Sequence, residues 1–395
     1  MPANTILSDI KIADMTSAMF GPYCTQTLAD MGADVIKIEH PAGDMMRYSG
    51  KPANTKGMGP MHMTINRGKR SVAWDQKTEE GMLATRRLIE SSDIFIHNVR
   101  DGGIKRLNLT FDDVKKFNKN IVYVHCTGFG SEGPYAGRPA FDDIIQSQSA
   151  MTSLIPRLEG DDKPRCIPSV LVDKVAALHA VYAVLAALRE RDKTGEAVFV
   201  EVPMFECATN FLLEDHFDGA VFDPPSDDFG FKRSFDSTLQ PMKTQDGWIM
   251  IAPYSDARWV KAFEVLGASN ELEDERLNDR KKRFFNAPFM HERIELYFSS
   301  NTTEHWVKVL SEAHVPAAKA NAFEDLQDDP HLQATNFFQK RQHPTEGDYW
   351  EIQPPVRFHN LPEKEIRPAP HIGQDTDEVL TELGLEPIAK RKTPE

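Results

Sequence analysis

The sequence has few cysteines, no excess of positive charge and no long hydrophobic run, and each absence excludes some functions. Its four cysteines form no CxxC pair, which argues against a zinc ribbon or redox motif and fits a reducing cytoplasm. The formal net charge of −14 argues weakly against a nucleic-acid partner, because such binding needs clustered cations. We expect no membrane partner, since no segment approaches the ~20 apolar residues of a spanning helix. The first residues also lack the basic and apolar regions of a secretory signal.

Alternating strand and helix patterns predict an α/β fold with a parallel sheet. Residues 10–16, 93–98, 121–128 and 198–207 have the composition of strands, and helical segments separate them. The strongest helix prediction is 173–191, which is rich in Ala and Leu and is closed by Gly195. Because this segment is apolar on nearly every face, we expect it to be buried.

The length of 395 residues suits two domains. The stretch 217–232 is rich in Gly, Pro and Asp and predicts a linker. We therefore predict a large Rossmann-like domain whose N-terminal part is 1–216, and a smaller α+β domain at 225–320. The C-terminal segment 321–395 is expected to return to the large domain.

Residues 128–133, GFGSEG, match the GxGxxG pattern of dinucleotide-binding loops. That mechanism needs a helix to begin at the glycines, so that its N-terminus faces a pyrophosphate. Here Pro134, Gly137 and Pro139 follow, which prevents an ordinary helix. We interpret the segment as a glycine-rich loop that lines a pocket, and a nicotinamide-dependent dehydrogenase is disfavoured.

Five collinear segments carry a family resemblance: 22–47, 66–75, 93–107, 128–150 and 192–206. In this order and spacing they resemble the class III CoA-transferases, and 241–259 and the C-terminal region extend the match. The resemblance implies an enzyme that moves CoA from an acyl-CoA, for example succinyl-CoA, to a free carboxylic acid. It implies an aspartyl-CoA thioester intermediate, CoA thioesters as substrates, no permanently bound cofactor, and an interlocked homodimer. The active site would then lie between the large domain of one chain and the small domain of the other.

Asp173 occupies the place of the family's catalytic aspartate, at the start of the Ala/Leu-rich helix. An acid in the first turn lies at the positive end of the helix dipole, which we expect to keep it ionised. The alternative is that Asp173 only caps the helix. Asp142 matches an acidic position near the active site in related enzymes, where it would orient or tune Asp173. The alternative for Asp142 is a surface acid beside Asp143.

Contacts to CoA are carried over from the family by position. The resemblance assigns Lys and Arg side chains to the CoA phosphates, which suits charge-assisted hydrogen bonds. For each cation taken alone, a solvated surface charge is an equally good interpretation. His40 stands where some relatives carry a phosphate-contacting arginine. The proposed contacts are Ala18, Met19, His40, Ile65, Lys69, Arg70, Asn98, Val99 and Arg106.

The small domain lacks the glycine run that covers the active site in formyl-CoA transferases, which disfavours that activity here. Lys232 or Arg233 stands in the comparable region and is a candidate partner for an acceptor carboxylate. No HExxH or similar histidine cluster is visible, so we expect no metal.

Two other functions remain open. A 2-methylacyl-CoA racemase of the same fold family would carry a histidine directly before the Asp142 position. Here that residue is Phe141, which cannot exchange protons. A non-catalytic CoA-binding protein is the second alternative, and the presence of Asp173 argues against it.

Overall fold

The computed structural model describes residues 6–236, 239–359, 361 and 366–388. The strands are β1 (Lys11–Met15), β2 (Asp34–Glu39), β3 (Arg70–Ala73), β4 (Ile94–His97), β5 (Val122–Thr127), β6 (Val198–Pro203), β7 (Met242–Lys243), β8 (Trp248–Ile251), β9 (Ala317–Lys319), β10 (Phe338–His343) and β11 (Gly347–Ile352). The helices are α1 (Phe20–Asp30), α2 (Pro60–Ile65), α3 (Glu79–Glu90), α4 (Asp101–Arg106), α5 (Phe111–Val114), α6 (Asp142–Gln148), α7 (Leu154–Glu159), α8 (Leu171–Thr194), α9 (Met204–His216), α10 (Asp256–Val265), α11 (Arg280–Phe285), α12 (Ala287–Phe298), α13 (Thr303–Glu312), α14 (Pro330–Ala334) and α15 (Thr376–Glu382).

A six-stranded parallel sheet organises the first of two compact units, which comprises residues 1–153, 164–214 and 336–395. The strand order is β3-β2-β1-β4-β5-β6, and every neighbouring pair is parallel. The predicted α/β class with a large Rossmann-like sheet is confirmed. In such a sheet the chain changes direction between β1 and β4, and ligands bind beyond the carboxyl ends of these strands.

Strands β1, β2, β4 and β5 are almost wholly buried, and most of their side chains are apolar on both faces of the sheet. Trp74, Leu88, Phe95 and Tyr123 belong to the core cluster that packs between the sheet and its helices. The predicted strands at 10–16, 93–98 and 121–128 are confirmed within one or two residues at each end. The strand predicted at 198–207 is shorter, since β6 ends at Pro203, which cannot donate to the ladder, and α9 begins at Met204.

The predicted long helix is confirmed as α8, which extends over 24 residues to Thr194 and is capped by Gly195 in the left-handed conformation, φ 70°. The prediction that nearly every face is buried is wrong. Nine of its residues are buried, whereas Leu178 and Tyr182 are 51% and 60% exposed. Only one side of the helix packs against α1, β5 and β6.

Helix α8 also corrects the expectation that no segment suits a membrane. Among the described residues it is the one helix that is long and apolar enough to span a bilayer, judged by length and composition alone. Half of its apolar window is buried inside the protein, and core helices of soluble proteins meet the same criterion. This feature is therefore weak support for a membrane role.

The second unit comprises residues 154–163 and 215–335. Its antiparallel sheet, in the order β7-β8-β9, packs with helices around a separate core that includes Ile249, Phe263, Phe298 and Leu310. The segment 217–232, predicted as a linker, groups with this unit and contains a short 3₁₀ turn at Asp218–Val221.

Candidate active site

A cavity of about 270 Å³ lies at the carboxyl edge of the parallel sheet, within the first unit. Its wall includes Ser17 and Ala18 beyond β1, Asn98 beyond β4, His125 near the end of β5, and Asp173 of α8. The cavity thus occupies the place where β1 and β4 diverge, where ligands of such sheets bind. Gly128 also lines it, and residues 131–137 form turns rather than a helix, as predicted.

Asp173 is the third residue of α8 and is half-buried in the cavity wall. Burial, together with the nearby carboxylates of Asp142 and Asp143, raises its pKa to about 7, while the backbone N–H of Phe20 acts in the opposite direction. The prediction that the helix dipole keeps this acid ionised is therefore wrong at neutral pH. Desolvation of Asp173 and repulsion by the neighbouring carboxylates raise its pKa by more than the positive end of the helix dipole lowers it. The ionised and neutral forms of Asp173 are therefore comparably populated at neutral pH.

Asp142, rather than Asp173, caps helix α8. The N-cap residue is Val170, whose side chain makes no capping hydrogen bond. The Oδ1 atom of Asp142 instead accepts the backbone N–H groups of Val172, at 2.7 Å, and of Asp173, at 3.1 Å. Asp142 is only 7% exposed, so it is not the surface acid of the alternative interpretation. One carboxylate therefore both orients the first turn of α8 and lies beside Asp173.

Gln146, one turn after Asp142 on α6, holds this carboxylate in place. Its Nε2 donates to Asp142 Oδ2 at 2.6 Å and to the carbonyl oxygen of Ser169 at 3.1 Å. Its Oε1 accepts the N–H of Ile167 at 2.8 Å. This fully buried amide ties α6 to the segment that leads into α8. The helix spacing of four residues places both side chains on one face.

Two of the residues proposed as CoA contacts, Ala18 and Asn98, line the cavity. Asn98 also holds the chain beyond β1, because its Oδ1 accepts the N–H of Ser17 and its Nδ2 donates to the carbonyl oxygen of Ser17. Met19 and Ile65 are buried in the core, and Val99 is half-buried.

The proposed phosphate-binding cations are not brought together. Lys69 is fully buried, and its ammonium contacts the carbonyl oxygen of Pro22 at 2.9 Å, Asn66 Oδ1 at 2.9 Å and Asp14 Oδ2 at 3.4 Å. In this structure it cannot reach a phosphate at the surface. Its charge instead neutralises the buried Asp14 carboxylate.

The remaining proposed cations lie at the surface or in ion pairs. Arg70 binds Asp34 and Glu382 at 2.6 Å each. Arg106 and His40 are exposed. Their roles toward CoA stay predictions.

Lys232 and Arg233 belong to the second unit and are exposed. The Lys232 ammonium pairs with Asp227. The Arg233 guanidinium lies over the Tyr254 ring, 5.3 Å from its centroid. Binding of an acceptor carboxylate by either residue stays a prediction.

The sequence interpretation missed His125, Arg100 and Asp101, which also line the cavity. His125 Nδ1 lies 3.9 Å from Asp101 Oδ1. Burial lowers the pKa of His125, against the opposing effect of the Asp101 and Glu201 carboxylates, so the imidazole is neutral at pH 7. A signal was available, because all three residues stand at or beyond the carboxyl ends of β4 and β5.

Within the described residues, one cluster has metal-ligating side chains close together, namely His343, Glu346 and His371. Its ligand atoms are already engaged. His343 Nδ1 accepts the backbone N–H groups of Thr345 and Glu346, and Glu346 Oε2 accepts those of Asn54 and Thr55. The arrangement ties the β10–β11 turn to a loop near residue 54, so its chemistry fits an anchor better than a metal site.

Comparison with known proteins identifies the family. Residues 7–376 match the model of CoA-transferase family III, so the chain belongs to this family and is an enzyme that transfers CoA. A succinate–glutarate CoA-transferase of Agrobacterium fabrum is 29% identical over 98% of both chains. A succinyl-CoA:glutarate CoA-transferase of Mus musculus is 25% identical over 95% of this chain and 86% of its own.

The solved structures lead to the same family. The crystal structure of a CAIB/BAIF family protein from Brucella suis superposes with a TM-score of 0.84, at 28% identity. The match covers 96% of this chain and all of that chain. The mixed α/β fold is therefore shared along nearly the whole length.

Proposed function

We propose that the protein transfers CoA from an acyl-CoA to a free carboxylic acid, with Asp173 as the covalent nucleophile. The observation that carries this proposal is a half-buried carboxylate in the wall of a cavity, held at the start of a helix whose N-terminus is capped by a second carboxylate. A positioned and partly desolvated carboxylate is a competent nucleophile toward a thioester.

The proposed reaction proceeds through four exchanges and needs no water, oxidant or net proton transfer. The Asp173 carboxylate attacks the thioester carbonyl carbon, and the CoA thiolate leaves as a mixed anhydride forms. The thiolate then attacks the aspartyl carbonyl carbon and releases the donor carboxylate, which yields an aspartyl-CoA thioester. The acceptor carboxylate attacks this thioester, and the released thiolate finally attacks the acceptor's carbonyl carbon and regenerates Asp173. Exclusion of water preserves the acyl energy.

The protonation state of Asp173 limits this reaction on the acid side. Only the ionised form attacks, and the pKa is about 7 in the free protein. We therefore expect kcat/KM to fall as the pH decreases below about 7, since this quantity reports the free enzyme. Asp142 is proposed as the residue that sets both the orientation and the pKa of Asp173.

The racemase alternative is disfavoured by Phe141. This side chain lines the cavity beside Asp142, where the alternative requires a group that accepts and donates a proton. Incorporation of solvent deuterium at the α-carbon of a 2-methylacyl-CoA, followed by NMR, would favour the racemase.

The test of the proposal is covalent trapping. The protein is incubated with an acyl-CoA and hydroxylamine, and the peptide that contains Asp173 is analysed by mass spectrometry. A hydroxamate on Asp173, together with loss of transfer in Asp173→Ala, is expected. The control is Asp192→Asn, an exposed aspartate near the opposite end of α8, which should still be labelled at Asp173. Full transfer activity in Asp173→Ala would exclude the mechanism. If the wild-type protein binds the acyl-CoA but is neither modified nor active, it is a CoA-binding protein.

For the substrates, we propose succinyl-CoA as donor and a dicarboxylic acid as acceptor. The support is the names of the succinate–glutarate relatives and the exposed cations Lys232 and Arg233. A panel of acyl-CoAs and free acids, read by mass spectrometry, tests this. Arg233→Ala should raise the acceptor KM, with a smaller effect on monocarboxylic acceptors. An unchanged KM for every dicarboxylic acid would contradict the role of Arg233.

We also propose that the chain forms the interlocked homodimer implied by its family. Support comes from large apolar side chains of the first unit that are about half-exposed, namely Leu178, Tyr182, Phe199 and Phe211. Light scattering coupled to size exclusion should give twice the chain mass of 44.6 kDa. A monomer at micromolar concentration would contradict this assembly.

A further inference from the structure

The short connection between β1 and α1, residues 16–18, is held almost entirely by side chains from elsewhere in the first unit. We call it the 16–18 loop. The three backbone N–H groups of the loop each donate to a side chain: Thr16 to Asp14 Oδ1 at 3.0 Å, Ser17 to Asn98 Oδ1 at 3.0 Å, and Ala18 to Asp44 Oδ1 at 3.2 Å. Two backbone carbonyl oxygens accept from side chains, that of Thr16 from Lys37 Nζ and that of Ser17 from Asn98 Nδ2, both at 2.8 Å.

Two of these side chains form a buried ion pair. The Lys37 ammonium lies 2.9 Å from Asp44 Oδ2, and their side chains are 0% and 2% exposed. Burial opposes the charge of Lys37, but Asp44, Asp14 and Glu39 raise its pKa, so the ammonium is retained. Buried ion pairs are weak contributors to net stability, because desolvation offsets their attraction. In some proteins such a pair instead serves to hold one geometry.

The geometry held here is an unusual one. Ala18 has φ 65°, in the left-handed region that a residue with a Cβ adopts at a cost of roughly 1–2 kcal/mol. Such a conformation persists only where the surroundings determine it. Helix α1 begins two residues later, and its first residue, Phe20, lines the same cavity as Asp173, where its backbone N–H favours the ionised carboxylate.

We propose that Lys37 and Asp44 are positioning residues that fix the 16–18 loop, so that the Phe20 N–H meets Asp173. This inference rests on the proposed function of Asp173. The pair touches the loop and not the carboxylate, and it acts by placing a preorganised donor. The donor favours the ionised nucleophile, so its loss should raise the pKa of Asp173 and weaken the oriented attack.

The experiment compares Asp44→Ala with Asp44→Asn in steady-state transfer assays across pH 5.5 to about 9. The alanine removes the acceptor for the Ala18 N–H, whereas asparagine keeps an oxygen there. For Asp44→Ala we expect kcat to fall about 10- to 100-fold, the loss typical of a hydrogen bond to an ionised group, with the acyl-CoA KM within about threefold. The acid limb of kcat/KM should move up by about one pH unit. Asp44→Asn should recover part of both changes.

A double variant, Lys37→Met/Asp44→Leu, removes both charges without leaving one buried and unpaired. It should show the same loss of kcat and the same displaced limb, which keeps the test valid if Asp44→Ala fails to fold. The matched control is Arg67→Met, which breaks another largely buried pair of this unit, Arg67–Asp30 at 2.7 Å. It should lower the thermal midpoint without moving the limb.

The outcomes separate this inference from the proposed function. An active Asp173→Ala protein would remove the function and the inference with it. Only the positioning role is wrong if Asp173→Ala is inactive while Asp44→Ala and the double variant fold and keep the wild-type kcat and the wild-type acid limb of kcat/KM. A limb displaced equally by Arg67→Met would likewise overturn it, because general loosening would then explain the change.

Discussion

Replacement of Asp142 by asparagine tests how the two carboxylates share the site. Asparagine keeps an Oδ1 that accepts the N–H groups of Val172 and Asp173, so the cap on α8 is retained. Only the negative charge beside Asp173 is lost. Because a like charge disfavours the ionised form, the pKa of Asp173 should fall from about 7 toward its ordinary value.

The magnitude follows from the contacts. Asp142 accepts the backbone N–H of Asp173 itself at 3.1 Å. For an assumed carboxylate separation of about 6 Å, like charges at an effective dielectric of ~20 repel by about 3 kcal/mol. That repulsion corresponds to at most about two pH units. Burial is the larger cause of the raised pKa, and N–H donors partly balance the charge of Asp142. We therefore expect the acid limb to move down by about one pH unit.

The assay is the pH dependence of kcat/KM for CoA transfer at saturating acceptor. The matched control is Asp143→Asn, the exposed neighbour on the same helix and a weaker cause of the raised pKa, which should move the limb less. Asp142→Ala should in addition lower the stability of the protein by about 1 kcal/mol, since the cap is lost. A limb that stays in place or moves upward in Asp142→Asn would refute the electrostatic reasoning.

Three further predictions concern stability and loop placement. Asp173→Asn should stabilise the protein at pH 8 by up to about 4 kcal/mol but hardly at pH 4, because the folded-state pKa of Asp173 lies about three units above the unfolded value of 3.8 and each unit corresponds to about 1.4 kcal/mol. Equal shifts of the denaturant midpoint at both pH values would contradict this. Gly21→Ala should lower kcat and the thermal midpoint, because the new Cβ would lie 2.3 Å from Thr16 Cβ. An unchanged kcat would show that the 16–18 loop can shift without loss of activity. Glu346→Gln should cost about 1–3 kcal/mol in urea unfolding, because its carboxylate accepts the N–H groups of residues 54–55 and is ionised at every pH above about 2; a neutral effect would exclude the anchor role.

Much of the fold was predictable from sequence because the signals were local. Short apolar segments with the composition of strands located β1, β4 and β5, and the Ala/Leu-rich segment located α8. The exposed stripe of α8 was not predictable in this way. An apolar composition indicates what a helix can bury, but only the packed structure indicates which face has neighbours.

The site was predictable in its outline and less so in its chemistry. The family pattern indicated Asp173 and Asp142, and both lie together at the start of α8. The pKa of Asp173 was misjudged because the dipole of its own helix is visible in the sequence, whereas burial and the approach of α6 are not. Lys69 was assigned to phosphate because its charge is local information, but its fully buried partner, Asp14, lies 55 residues earlier.

The capping of α8 by a residue from another helix makes α6 act as a spacer of fixed length. Asp142 and Gln146 must be one turn apart so that the Asp142 carboxylate can accept hydrogen bonds both from the first turn of α8 and from the Gln146 side-chain amide. Insertion or deletion of a single residue between them would rotate one side chain by about 100° away from the other. Substitutions at the exposed positions of this turn are therefore compatible with the arrangement, whereas changes in its length are not. Engineering that reshapes this wall of the cavity should vary side chains and preserve the residue count.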